Sequence, residues 1–173
     1  MLKTMAPAIS HVGLMFNPET FPYYDANLQA FQQQSRGLVE VTRAAVHSRA
    51  DIETEIAAIA TRPGGGLIVA TDPFTSSNWP AIRAALERHR LPHTVTFRQF
   101  VSEGALMSYG PNSSDTCRRS ASYVDRILKG ANPAELPAQA PDKYELAINR
   151  TTAKSLGLEI PSSLLATADE VIE

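Results

Sequence analysis

The sequence predicts an α/β protein built on a doubly wound, mostly parallel sheet flanked by helices. Three observations carry this. Short apolar runs rich in β-branched residues, such as Ile9–Phe16 (ISHVGLMF) and Leu67–Ala70 (LIVA), have the composition of buried strands. Segments with helical spacing stand between them, with Ile52, Ile56 and Ile59 on one and Ile82 and Leu86 on another. Proline, glycine and asparagine punctuate the junctions. Strand and helix alternating at this regularity favour parallel pairing through right-handed crossovers.

Each element follows in order. Ile9–Phe16 is the first strand, broken by Asn17-Pro18-Glu19-Thr20. Residues 23–36 carry Tyr24, Leu28, Phe31 and Ser35 on one helical face, with Gly37 as a stop. Val39–Val46 alternates as a second strand. Residues 48–51 can cap a helix over Ile52, Ile56 and Ile59. Gly64-Gly65-Gly66 precedes the strand Leu67–Ala70, so it is a tight helix-to-strand connection. A phosphate loop would follow a strand and open a helix. Residues 71–77 (TDPFTSS) form a loop, and 79–90 form a helix closed by Leu91-Pro92. His93–Phe97 is strand four, and 99–103 is a short turn or helix leading to a strand at Ala105–Tyr109. A helix spans 113–129 with Tyr123, Ile127 and Leu128 on its apolar side. Pro133, Pro137 and Pro141 make 131–142 an extended connector. Tyr144–Ile148 alternates as a strand, 151–156 is a short helix ending at Gly157, and 161–173 is a final helix opened by proline.

A chain of 173 residues with 43% apolar and 20% charged residues suits one packed domain, or one with an appendage. A net charge of −2 without long runs of either sign points away from nucleic acid and from an anionic membrane surface. Cys117 is the only cysteine, which excludes an intramolecular disulfide and a cysteine-rich zinc site. Its place on a polar helix reads as a semi-buried, inert thiol. His89 and His93 are four apart, but Leu91-Pro92 lies between them, so near-surface histidines are expected rather than a metal pair. Residues 1–16 have no uninterrupted apolar stretch ahead of Pro7, and no segment is long enough to span a membrane, so neither an export signal nor an anchor is expected. There is no G-x-S-x-G elbow and no convincing acid–base pair. No enzyme and no cofactor are expected.

In doubly wound sheets ligands sit beyond the carboxyl ends of the strands. Three loops qualify here: 17–22, 71–77 and 98–99, holding Asn17, Thr20, Asp72, Thr75, Ser76 and Arg98 with Phe21, Tyr23 and Phe74. Arg98 and helix N-termini suit a carboxylate, and Asp72 suits an ammonium group. The same residue types are also ordinary turn and cap formers, and spacing alone leaves both readings open.

Several segments together resemble one family: HVGLMFNPET, PGGGLIVATDPFT, RHRLPHTVTFRQFVSEGALMSYGPN, and the long stretch from Arg118 that contains ILKG, YELAIN, TAKSLGL and IPSSLL. The chain resembles the substrate-binding proteins of ABC transporters with a type I periplasmic-binding fold, and specifically their C-terminal half. The resemblance implies two α/β lobes joined by hinge strands, with solute held between them. It assigns residues 1–104 to the second lobe. Residues 105–130 become a strand and helix of the first lobe, and 131–173 the connector, returning strand and C-terminal helices. It implies a small solute such as an amino acid or organic acid, an ABC permease as partner and a periplasmic location. From Met1 alone a cytoplasmic location follows. The residues it carries over for ligand binding are Asn17, Asp72, Thr75 and Arg98 on one wall and Tyr109 on the other. An apolar strand and helix without their lobe would either fold back over their own sheet or be exchanged between two copies. A homodimer is expected, and it could rebuild a two-walled cleft. The alternative is a truncated remnant without transport function.

Overall fold

The computed structural model describes residues 1–173. Its strands are β1 (His11–Phe16), β2 (Glu40–Ala45), β3 (Gly65–Val69), β4 (His93–Val95), β5 (Met107–Pro111), β6 (Tyr144–Asn149) and β7 (Glu170–Ile172). Its α-helices are α1 (Leu2–Met5), α2 (Tyr24–Gln34), α3 (Arg49–Thr61), α4 (Pro73–Ser77), α5 (Trp79–His89), α6 (Arg98–Ser102), α7 (Ser113–Leu128), α8 (Arg150–Ser155) and α9 (Ser162–Thr167). One seven-stranded sheet runs β2-β1-β3-β4-β5-β6-β7. All pairings are parallel except β5 with β6. The expected α/β, mostly parallel architecture is therefore present.

The alternation of the strands sorts side chains onto two faces. Met15, Ala44, Leu67, Val69, Val95 and Ala147 meet Ile52, Ile56 and Ile59 of α3, Trp79, Ile82 and Leu86 of α5, and Phe100 and Val101 of α6. On the opposite face, Val12, Met107, Leu146 and Ile148 pack against Leu2 and Met5 of α1, Ala153 of α8 and Leu164 of α9. Farther along that face Leu14, Phe16 and Val41 meet Tyr24 and Leu28 of α2. No residue of α2 is fully buried. The helix is anchored by Tyr24 stacked on Phe16 at 4.2 Å, with the Arg43 guanidinium 4.8 Å over the Tyr24 ring.

The expected capping of α3 is present. Ser48 accepts a bond from the Asp51 amide, and Asp51 accepts those of His47 and Ser48. The glycine run opens β3, and Gly64 takes the left-handed backbone of the turn before it.

Several expectations are corrected. Residues 73–77 are helical rather than loop, because Asp72 caps them and Pro73 sits in the first turn. The tail does not form one helix over 161–173: α9 ends at Thr167 and β7 follows. Asp169 accepts the Leu146 amide, and the chain then pairs beside β6. His11 and His93 are buried rather than near the surface. The His93 ring lies between two backbone groups, with Nδ1 2.9 Å from the Leu91 carbonyl oxygen and Nε2 accepting the Leu106 amide. Burial pushes its pKa down to about 4. Cys117 is exposed, not semi-buried.

For α7 two arrangements are expected, folded back over its own sheet or exchanged between two copies. It has Asn112 as its N-cap, yet none of its residues is buried. It does not fold back over the sheet. It projects beyond the β5–β6 pair and is held to the returning connector, with Tyr123 hydroxyl donating to the Pro137 carbonyl and Arg119 paired to Asp142. The connector holds one short 3-10 turn at 133–135.

Candidate functional site

The carboxyl ends of the parallel strands gather the residues that the sequence nominated. Asn17 follows β1. Its Oδ1 accepts the amides of Glu19 at 2.8 Å and Thr20 at 3.1 Å, so the side chain shapes the turn that carries the chain off the sheet. Asp72 follows β3 and begins α4. Its Oδ1 accepts the Thr75 amide at 2.8 Å, while the Thr75 hydroxyl accepts the Asp72 amide at 3.1 Å. The same hydroxyl lies 2.8 Å from the Ala70 carbonyl oxygen, to which it can donate.

These two strand ends are tied together. The Asn17 amide donates to Asp72 Oδ2 at 3.1 Å, and the Thr20 hydroxyl donates to Asp72 Oδ1 at 3.0 Å. Asn17, Asp72 and Thr75 thus form one buried group, with β1 and β3 adjacent in the sheet beneath it. The Asp72 carboxylate receives three neutral donors and no cation. A buried negative charge without a cationic partner is an electrostatic attractor for one.

Arg98 opens α6 after β4 and lies at the same end of the sheet. Its Nε is 3.0 Å from Glu170 Oε2 of β7, and its side chain remains 52% exposed. The pair is an ion-pair contact without hydrogen-bond alignment, since that carboxylate oxygen is buried and finds no hydrogen-bond partner. Arg98 lines a cavity of about 520 Å³ together with Asn112, Lys143, Tyr144, Glu145 and Glu170.

Tyr109 lies on β5. Registers carried across β1, β3, β4 and β5 put it on the same sheet face as Phe16 and Ala70. Its ring is half exposed and stacks at 5.7 Å and 24° on Tyr144, which is also half exposed. Gly110 next to it passes so close to β4 that a Cβ there would overlap the Thr96 carbonyl oxygen. Only glycine lets β5 pass this close to the Thr96 backbone.

The structure therefore joins Asn17, Asp72 and Thr75 directly. It leaves Arg98 and Tyr109 apart from that group, linked to each other through Tyr144, which lines the Arg98 cavity and stacks on Tyr109. Sequence reasoning passed over three partners. Thr20 was in the right loop but not singled out. Tyr144 could have been found from the alternation of YELAIN beside the β5 strand. Glu170 carried no signal, because its segment reads as helix. No group of three or more His, Cys, Asp or Glu side chains could hold a metal ion.

A family model described as "ABC transporter substrate binding protein" matches residues 1–172. Comparison with curated protein sequences finds no match. Among solved structures, a conserved domain protein from Vibrio cholerae is 24% identical with a TM-score of 0.86, matching 98% of this chain and 57% of its own. An ABC domain from Streptococcus pneumonia in complex with L-Trp is 22% identical with a TM-score of 0.87, matching 99% and 59%. A ligand-free, open substrate binding protein with adhesive properties from Clostridium difficile is 21% identical with a TM-score of 0.72, matching 99% and 57%. The chain thus spans 57–59% of the length of these structures, and at these identities they establish the fold. The family match over nearly every residue, on a sheet whose carboxyl ends carry the Asp72 group, places this chain in the ABC transporter substrate-binding protein family.

Proposed function

We propose that this chain supplies one wall of a solute site in an ABC-type uptake system and binds a small solute bearing an amine, a carboxylate or both, such as an amino acid or organic acid. The observation that carries the reading is the buried Asp72 carboxylate, which faces three neutral donors and lacks a cation. An ammonium group would complete it. Arg98 would exchange or share its Glu170 contact with a solute carboxylate. The exposed Tyr109–Tyr144 stack offers a flat apolar surface for the rest of the solute. One structural neighbour was solved with L-Trp, an amino acid with all three features. The reading is one of binding without turnover.

In this reading residues 1–104 are the second-lobe core, 105–130 reach toward a first lobe, and 131–173 return. An ABC permease is the membrane partner, and the site of action lies outside the cytoplasmic membrane. A second copy of the chain supplies the facing surface. A second reading, a domain without transport function, is favoured by one observation: Tyr109 and Tyr144 are half exposed, and no residue of α7 is buried. Solutes are held well only when buried between walls.

Thermal unfolding with a panel of amino acids and organic acids separates the two. A solute present at about 100 times its Kd adds about 2.7 kcal/mol. The expected result is a raised Tm for the wild type with at least one amino acid. Asp72→Asn, which keeps the capping oxygen, and Arg98→Ala should each lose that rise. No rise with any member of the panel, or equal rises in the variants, would refute the assignment.

A further inference from the structure

The three donors on the Asp72 carboxylate are not equivalent. Two are backbone amides, that of Asn17 on Oδ2 and that of Thr75 on Oδ1. The first belongs to the turn after β1 and the second to the first turn of α4, so neither can leave without undoing local structure. The third is the Thr20 hydroxyl, 3.0 Å from Oδ1. Thr20 is exposed, whereas Asn17, Asp72 and Thr75 are buried. The removable donor is therefore the one that faces solvent. The same hydroxyl also lies 3.4 Å from Asn17 Oδ1, a neutral acceptor held in place by the Glu19 and Thr20 amides. A small movement of the Thr20 side chain carries its proton from the carboxylate to that oxygen.

We propose that the Thr20 hydroxyl is a placeholder for the ammonium group of the solute, and that Thr20 thereby makes the Asp72 position selective for cations. This role rests on the solute reading above and names the residue that yields to the solute. An ammonium-to-carboxylate hydrogen bond, with both partners charged, is stronger than the one from a neutral hydroxyl that it replaces. It also brings positive charge to a buried carboxylate that has only neutral donors. The displaced hydroxyl turns to Asn17 Oδ1, so the exchange strands no polar group. A neutral solute hydroxyl would trade one neutral donor for another and gain nothing. An apolar group would leave the acceptor unfilled. In the empty site the same hydroxyl keeps Asp72 satisfied. Displacing it lowers the affinity for the amine about tenfold, the size of one such hydrogen bond.

Isothermal titration of the full chain tests this. The probes are the common L-amino acids and, for each that binds, the carboxylic acid of the same skeleton without the amine. The proteins are wild type, Thr20→Val, which keeps the branched shape and removes the hydroxyl, and Thr20→Ser, which keeps the hydroxyl. The expected result is an amino acid bound about tenfold tighter by Thr20→Val and as in wild type by Thr20→Ser. The amine-free acid should bind all three alike. Circular dichroism should also be the same for all three, since residue 20 is exposed. Unchanged amino acid affinity in Thr20→Val would overturn the proposal, because the ammonium then sits beside the hydroxyl rather than in its place. Weaker binding would overturn it too, because the hydroxyl then positions the carboxylate or touches the solute. Equal tightening of the amine-free acid would mark a general change in the loop and refute the selective role. In each of these cases wild type binds, and the solute reading stands. No binding of any amino acid by wild type or either variant refutes the solute reading and this role together.

Discussion

Helices α3 and α7 begin alike and end in opposite environments. Each has a side-chain N-cap, Ser48 for one and Asn112 for the other, and each shows an apolar stripe at helical spacing. In α3 the stripe of Ile52, Ile56 and Ile59 is buried between β-strands and α5. In α7 the stripe of Cys117, Ala121, Val124 and Leu128 meets solvent. Burying one isoleucine stabilises by about 1.5–3 kcal/mol, so α3 is locked by its packing. The helix α7 depends on its cap, its i,i+4 ion pairs and the connector. Periodicity says that a helix has a face to bury; it does not say what covers it.

The same division separates the strand ends. The Asp72 group is internal to the sheet core, whereas Tyr109 sits where the chain leaves it. Substitutions should report this contrast. The largest effect is expected at the boundary itself. Gly110→Ala should cost about 3 kcal/mol or more, or prevent folding, because its methyl group overlaps the Thr96 backbone; urea unfolding measures it. A nearly normal unfolding midpoint would mean that β5 is free to move and that the boundary is soft.

Next is Asp72→Ala, which orphans the Asn17 and Thr75 amides and the Thr20 hydroxyl. A loss of about 3 kcal/mol is expected by urea titration. A loss under about 1 kcal/mol would show that water already satisfies these donors.

His93 gives a comparable effect that depends on pH. Its folded pKa of about 4 lies below the ordinary value of 6.5, so the unfolded chain binds the extra proton first. Stability is fully present above pH 6.5 and falls as the pH drops toward 4. The shift corresponds to about 3 kcal/mol across that window. Unfolding of wild type and His93→Gln at intervals between those values checks it. The variant should be less stable at neutral pH and should have a flatter slope. Parallel slopes would assign the acid sensitivity to other groups.

The smallest effects belong to the arm. Tyr123→Phe removes the bond to the Pro137 carbonyl and should change global stability by less than about 1 kcal/mol. Amide exchange in 113–128 should nevertheless accelerate, because the connector is one of the few things holding the helix. A large global loss would mean that arm and sheet unfold as one unit, erasing the contrast.

Much of the sheet was legible because a strand buried on both faces has to be apolar throughout. LIVA and HVGLMF could be little else. The capping box at Ser48 was legible because its geometry is local. The caps at Asp72 and Asn17 were legible as residue types, but their mutual bond was not, since it joins positions 55 apart in the chain. The tail misled because Glu170–Ile172 is too short to show a period, and a strand of three residues is stabilised only by the β6 backbone beside it.

By itself the sequence determined the alternation of strand and helix, the parallel architecture, the family and the polar composition of the strand ends. Each rests on local period or local chemistry, which residues near in sequence express. The tertiary structure alone decided that β6 returns antiparallel to β5, that Arg98 meets Glu170 and that His93 is buried. It also decided that the best-formed apolar stripe faces water. Those outcomes depend on which distant surfaces are present to be covered, and a pattern within one helix cannot specify its neighbour.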